Sequence, residues 1–215
     1  MSEMRFSISG RKKGSANSPP AVASPPANVS SPLTTVRVGS PRLQRALGRR
    51  SVPLVYDRVF IPSLVIDHTE LMLRQHGAAG EEGFGLWAGT LAGGDAFVST
   101  LVIPRVDTVG RLHGVISEET TATVLDELDY FDLVPIVEIH SHPREAFLSP
   151  IDAERPMVAV KGFLSVVVPS FGFIDLADVG TWRVYEFHGR DNWLELNESE
   201  RRRRLVIDPS LMRSE

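Results

Sequence analysis

The chain has 215 residues, with 23 Lys and Arg against 27 Asp and Glu for a formal net charge of −4. That length holds one well-buried domain and excludes two comfortable ones. The absence of cysteine excludes a disulfide framework, a thiolate nucleophile and a Cys-type zinc site, and suits a cytoplasmic location.

The charge is unevenly divided. Residues 1–50 carry nine Arg/Lys against the single acid Glu3, and residues 51–215 carry 14 against 26. A body of that sign does not bind nucleic acid by broad phosphate neutralisation. No apolar run reaches the ~18–20 residues of a membrane helix. Between Gly14 and Pro41, six Pro and six Ser stand among 28 residues without an aromatic. Such a composition cannot bury enough apolar area to offset the entropy of ordering, so residues 1–50 read as a disordered basic arm. Within it, Arg11-Lys12-Lys13 is either a contact for an anionic partner or a solvated run.

The folded body is expected over residues 51–197, followed by a C-terminal tail, 198–215. Val55–Ile61 reads as a strand. Pro62 then opens a helix whose apolar stripe is Leu64, Val65, Leu71 and Met72, with Gly77 near its stop. Gly83–Leu91 and Ala96–Ile103 flank Ala92-Gly93-Gly94-Asp95, the signature of a hairpin. Ser117 caps a second helix with Glu118 and Glu119 in its first turn and Val124, Leu125 and Leu128 inward. Val134–His140 reads as a buried strand, followed by a loop and a short helix from Pro150. Phe163–Val168, Trp182–Phe187 and Asn192–Leu196 complete the strands. Interleaved strands and helices with hairpins predict an α/β fold, a mixed β-sheet flanked by helices.

The chemistry is concentrated in Glu138-Ile-His-Ser-His-Pro-Arg-Glu-Ala-Phe-Leu-Ser-Pro-Ile-Asp152. On a strand, His140 and His142 share a face with Cα atoms ~6.6 Å apart, near enough for both imidazoles to reach one ion. Pro143 ends the strand, and Asp152 is the nearest carboxylate returning from the loop. Two His and one carboxylate leave an open position, the arrangement of a catalytic metal site. Ser149-Pro150-Ile151-Asp152 is at the same time a helix start, with Ser at the N-cap, Pro at N1 and Asp at N3. The two assignments are compatible, since a capped turn fixes Asp152.

These residues resemble the JAMM (JAB, MPN-plus) zinc metalloproteases. His140-Ser141-His142-Pro143 and Ser149-Pro150-Ile151-Asp152 match that family's His-x-His-Pro and Ser-x-x-Asp. Glu82-Gly-Phe-Gly85-Leu-Trp-Ala-Gly89 matches its upstream Glu-x-x-Gly-x-x-x-Gly. Six residues separate His142 from Ser149, one fewer than is usual in the family. The resemblance implies a cytidine-deaminase-like MPN/JAB fold over residues ~54–196, with Zn(2+) held by His140, His142 and Asp152. It implies that Glu82 takes a proton from the attacking water and passes it to the leaving amine, and that Ser149 steadies the oxyanion. It also implies a substrate: a peptide or isopeptide bond after the C-terminus of a ubiquitin-like protein. The compact length is most like the small bacterial members encoded beside ubiquitin-like, E1-like and E2-like proteins, some in antiviral operons. The alternatives are trimming of a sulfur-carrier protein's tail and a catalytically silent scaffold of the same fold.

Glu81 competes with Glu82 for the role of base; strand alternation would turn the two to opposite faces. Glu138, on the face of His140, is either a partner for a ligand imidazole or an ordinary buried carboxylate. His68, His76, His113 and His188 lack ligand spacing, Trp87, Trp182 and Trp193 read as core, and Arg201–Arg204 is either a contact for an acidic partner or a solvated terminal helix or strand edge.

Overall fold

A computed structural model describes residues 54–105, 108–110, 113–190 and 192–208; the expected arm, 1–50, lies outside them. In chain order the elements are β1 (Val59–Pro62), α1 (Ser63–Ala78), β2 (Phe84–Ala92), β3 (Asp95–Val102), β4 (Thr108–Gly110), β5 (His113–Val115), α2 (Glu118–Tyr130) and β6 (Val134–Ser141). Then follow α3 (Pro150–Glu154), β7 (Leu164–Val168), β8 (Arg183–Gly189), β9 (Asn192–Glu195), α4 (Glu198–Arg204) and β10 (Leu205–Asp208). Eight strands form one mixed sheet in the order β10-β1-β3-β2-β6-β7-β8-β9, and β4 and β5 pair separately. The chain is a mixed α/β protein with helices packed on this sheet.

The hairpin of β2 and β3 turns at Gly93 (φ +60°) and Gly94 (φ +84°), the two positive-φ positions of a tight turn that matches strand twist. The register shifts between Ala88 and Gly89. There a Cβ on Gly89 would lie 1.9 Å from the Phe97 carbonyl oxygen, so the backbones of the bulge meet too closely for any side chain. β6 lies between β2 (antiparallel) and β7 (parallel) and is buried from Pro135 to Ser141, as a central strand covered on both faces must be. Trp87 and Trp182 meet edge to face in the core, centroids 5.9 Å apart. The Trp87 indole N–H donates to Thr69 Oγ1 (2.9 Å), whose hydroxyl donates in turn to the Val65 carbonyl (2.7 Å). This chain satisfies a polar residue at the centre of the buried face of α1.

Three expectations are corrected. The first strand covers only Val59–Pro62, because the Leu54 and Asp57 amides donate to the carbonyls of Lys161 and Gly94 in loops. Pro62 closes β1 and caps α1 from outside; the helix buries Val65, Ile66, Thr69, Met72 and Leu73 and turns Leu64 and Leu71 to solvent. Residues 198–208, expected as tail, form α4 and β10, and β10 pairs in parallel with β1 at the sheet edge.

The arginine run of α4 is likewise not simply solvated. Arg201 is buried and donates to the carbonyls of Leu196 (2.8 Å) and Gly180 (3.3 Å). Arg204 pairs with Glu186, donates to the Tyr56 carbonyl (3.3 Å) and lies over the Tyr56 ring. Trp193 is only partly buried, its indole N–H donating to the Ala153 carbonyl (3.2 Å). Among the described residues no helix is long and apolar enough to cross a membrane.

Candidate metal centre

His140 stands at the C-terminal end of β6, and His142 lies one residue past it. The extended path continues beyond the strand, because the His142 N–H donates to the Val168 carbonyl (2.8 Å). Both side chains are buried and their rings lie 5.2 Å apart. Asp152 arrives from α3. There the Asp152 N–H donates to Ser149 Oγ (3.2 Å) and the Ser149 N–H donates to Asp152 Oδ2 (2.9 Å), a reciprocal capping box with Pro150 at N1. The cap thus fixes the carboxylate as well as starting the helix.

The three side chains converge. Asp152 Oδ2 lies 3.5 Å from His140 Nε2 and 3.4 Å from His142 Nε2, and the three potential ligand atoms all lie within 4.8 Å of one another. Zinc–nitrogen and zinc–oxygen bonds of about 2.0–2.2 Å at a tetrahedral angle place neighbouring ligand atoms about 3.3–3.5 Å apart. The two carboxylate–imidazole separations match that spacing. Both ring nitrogens of His140 are buried without a hydrogen-bond partner among the described residues, which is costly unless something else satisfies them. The donor set and the orphaned imidazole therefore fit a metal ion.

The charges are strongly coupled. Burial acts to lower the His140 pKa, but the carboxylates of Asp152, Glu138 and Glu82 outweigh it and hold the imidazole above its ordinary value. Burial alone would raise the Asp152 carboxyl; the neighbouring His140 and His142 imidazoles and Ser149 instead hold it far below the usual carboxylate range. Burial pushes Glu138 up, with the His140 charge and the Met157 N–H pulling against it. Glu138 Oε2 accepts from that N–H (3.2 Å), tying the segment after α3 to β6.

Glu82 lies outside β2, which starts at Phe84, so strand alternation does not separate it from Glu81. Pairing does. Phe84 is opposite His140, and the ladder extends one step further: the Ser141 N–H donates to the Gly83 carbonyl (3.0 Å) and the Gly83 N–H donates to Ser141 Oγ (3.1 Å). Glu82 is the next residue along this path, and its charge acts on His140. The Glu81 carboxylate lies 3.7 Å from His76 Nδ1. Two aromatics flank the imidazoles and were not foreseen. Phe84 stacks over His140 at 6.2 Å and Phe147 meets His142 edge-on at 4.7 Å. The Phe84 contact follows from the β2–β6 register, which local sequence does not carry; Phe147 lies in the loop between His142 and Ser149. His76 and His188 face Glu81 and Glu186 rather than the cluster, and the side chain of His113 lies outside the described residues.

No protein-family model matches the chain. A curated protein of Sinorhizobium fredii, named "Probable metalloprotease y4jG", is 28% identical over 155 residues, covering 69% of this chain and 93% of that protein. The solution structure of protein DSY2949 from Desulfitobacterium hafniense superposes with a TM-score of 0.52 at 15% identity, covering 72% of this chain and 95% of that one. The structural likeness concerns the fold. The sequence relative spans nearly its own full length against this chain.

Proposed function

We propose that this chain is a metal-dependent peptidase of the JAMM type with an MPN/JAB arrangement of its sheet. It would hold zinc through His140, His142 and Asp152 and cleave the peptide or isopeptide bond that follows the C-terminus of a ubiquitin-like protein. The observation that carries the reading is the convergence of those three side chains, from β6, the residue beyond it and α3, around an imidazole with no other partner. The curated relative named a probable metalloprotease supports the hydrolase part.

Zinc supplies, when bound, Lewis acidity that makes water a competent nucleophile near neutral pH. The chain's own groups then do the rest. The Glu82 carboxylate takes one proton from the attacking water and returns it to the leaving amine, so the hydrolysis balances without a co-reactant. The Ser149 hydroxyl accepts from the Asp152 N–H and retains its own hydrogen, which it donates to the oxyanion that develops on the scissile carbonyl. Phe84 and Phe147 cover the imidazoles and limit their access to bulk water.

The choice of a ubiquitin-like substrate rests on the resemblance of the three motifs. It brings with it E1-like and E2-like partners, a cytoplasmic location and a place in antiviral defence as parts of the same proposal. The test is single-turnover cleavage of a ubiquitin-like protein carrying a C-terminal extension or an isopeptide-linked lysine. Cleavage after its terminal Gly-Gly, stopped by phenanthroline and restored by zinc, is expected. A zinc-loaded protein that leaves both substrates intact would overturn the substrate assignment. Cleavage confined to a sulfur-carrier protein's tail would favour the trimming role, and a chain that binds no metal would favour the silent scaffold.

A further inference from the structure

Immediately after β7 the backbone enters the left-handed region at three successive residues: Ser170 (φ +54°), Phe171 (φ +53°) and Gly172 (φ +76°). Left-handed backbone drives the Cβ of an L-residue against the following carbonyl, and a bulky residue such as Phe is rarely found there. Such a conformation persists where its surroundings over-determine it, and it clusters at functional sites. Here the turn meets the second imidazole's own backbone. The Phe171 N–H donates to the His142 carbonyl (2.8 Å) and the Ser170 N–H to the Arg144 carbonyl (2.9 Å). With the His142 N–H donating to Val168, both backbone polar groups of a residue that has left its strand are held by residues 168–171. Pro143, between the two carbonyls, has no N–H to contribute.

The turn is clamped from the far side by α1. A Cβ on Gly77 would lie 2.3 Å from the Phe171 Cβ, and one on Gly172 would lie 2.7 Å from the Leu73 Cβ. Helix and turn therefore touch at two points with glycine on one side of each, Gly77 against Phe171 and Gly172 against Leu73. Arg74, one turn of α1 before Gly77, donates from Nε to the Gly172 carbonyl (3.1 Å) and from Nη2 to the Ile174 carbonyl (3.0 Å). Glu70 pairs with its Nη2 at 2.6 Å, and the Phe173 ring lies 6.0 Å from the guanidinium carbon.

We propose that Arg74 and Phe171 are positioning residues for the metal centre: α1, through Arg74, locks the left-handed Ser170–Gly172 turn, and the turn fixes the His142 backbone so that its imidazole faces Asp152. The proposal rests on the reading of His140, His142 and Asp152 as metal ligands. It adds an element with no side chain in the centre to the parts on which metal affinity depends. Partners that orient a ligand are commonly worth ~10–100-fold in affinity.

The test is to load wild-type, Arg74→Gln, Arg74→Lys and Gly77→Ala proteins with cobalt(II), and to record the ligand-field spectrum, the zinc affinity against a chromophoric chelator and amide hydrogen exchange at residues 170 and 171. Arg74→Gln is expected to weaken zinc by at least ~10-fold, to alter the cobalt band and to speed exchange at both amides. Arg74→Lys, which keeps a cationic donor to one carbonyl, should recover part of each change. Leu205→Ala, in the core at β10, measures the effect of lost stability alone, and should lower the melting temperature while leaving the cobalt spectrum as in wild type. Faster exchange in Arg74→Gln with unchanged affinity and spectrum would overturn the positioning role, as would an unchanged exchange rate. If Gly77→Ala does not fold, Arg74→Gln alone decides. A wild-type chain that binds neither metal would overturn the ligand reading itself, and the positioning role with it.

Discussion

Ser149 and Asp152 hold each other at the start of α3, each backbone N–H donating to the other's side chain at 3.2 and 2.9 Å. The oxygen of Asp152 that accepts from Ser149 is the same one that faces both imidazoles. A helix cap and a candidate ligand position are therefore one structure. Ser149→Ala removes the cap acceptor but leaves the backbone N–H that steadies Asp152. We expect about 1 kcal/mol of lost stability, retained zinc, and a fall in kcat of ~10²–10³-fold from the missing oxyanion donor. Thermal melting, metal analysis and single-turnover rates read the three effects separately; loss of the metal would show that the cap, rather than the hydroxyl, is what Ser149 contributes.

Glu82 and Glu81 are separable by the same assays. Glu82→Gln keeps the shape of the side chain and cannot take a proton, so the metal and the fold should persist while cleavage falls by at least ~100-fold. Glu81→Gln, at a carboxylate that is turned toward His76, should be close to wild type. A dead Glu81→Gln enzyme would reverse the assignment, and loss of zinc in Glu82→Gln would make Glu82 a ligand.

The C-terminal segment is part of the fold. Ending the chain at Leu196 removes β10 from the sheet edge and Arg201 from its two carbonyls, and cooperative melting should be lost. In the full chain, Arg204→Met leaves Glu186 without its cation. Breaking a fully buried pair costs about 3–5 kcal/mol; both partners here keep some solvent contact, so about 2–3 kcal/mol is expected in denaturant unfolding. A truncated chain that melts like the full one would return residues 198–208 to the status of a tail.

The convergence of His140, His142 and Asp152 was legible because its signals are local. Period-two spacing aligns His140 with His142, and a short loop with a helix start delivers Asp152. The Gly-Gly hairpin and the Ser117 cap were legible for the same reason. Distant pairing was not. Glu82 is set beside β6 by a β2–β6 ladder that joins residues nearly 60 positions apart, and β10 joins β1 across about 145. Arg201 is held by the carbonyls of Leu196 and Gly180 and Arg204 by Glu186, contacts that a run of four arginines does not signal. Nor does Ser-Phe carry any local signal for the left-handed backbone at 170–171, which the surrounding contacts impose.

Without metal, the cluster should impose its own pH dependence. The Asp152 carboxyl is held below its ordinary value, so its contribution is present above the unfolded carboxylate pKa of about 4 and is lost as the pH falls toward the depressed value. The His140 imidazole is held above its ordinary value of about 6.5, so its contribution is complete below that and is lost as the pH rises through the elevated pKa. Metal-free protein should therefore be most stable in mildly acidic solution and weaken above neutrality. Asp152→Asn should flatten the alkaline limb, and an unchanged limb in that variant would place its origin elsewhere.

The central claim is that His140, His142 and Asp152 bind a metal ion, and elemental analysis of protein purified without added metal tests it most directly. One equivalent of zinc per chain, lost in His142→Ala while the fold is retained, is the predicted result. Full zinc occupancy in His142→Ala, or a folded wild-type chain that neither carries zinc nor takes it up, would contradict it.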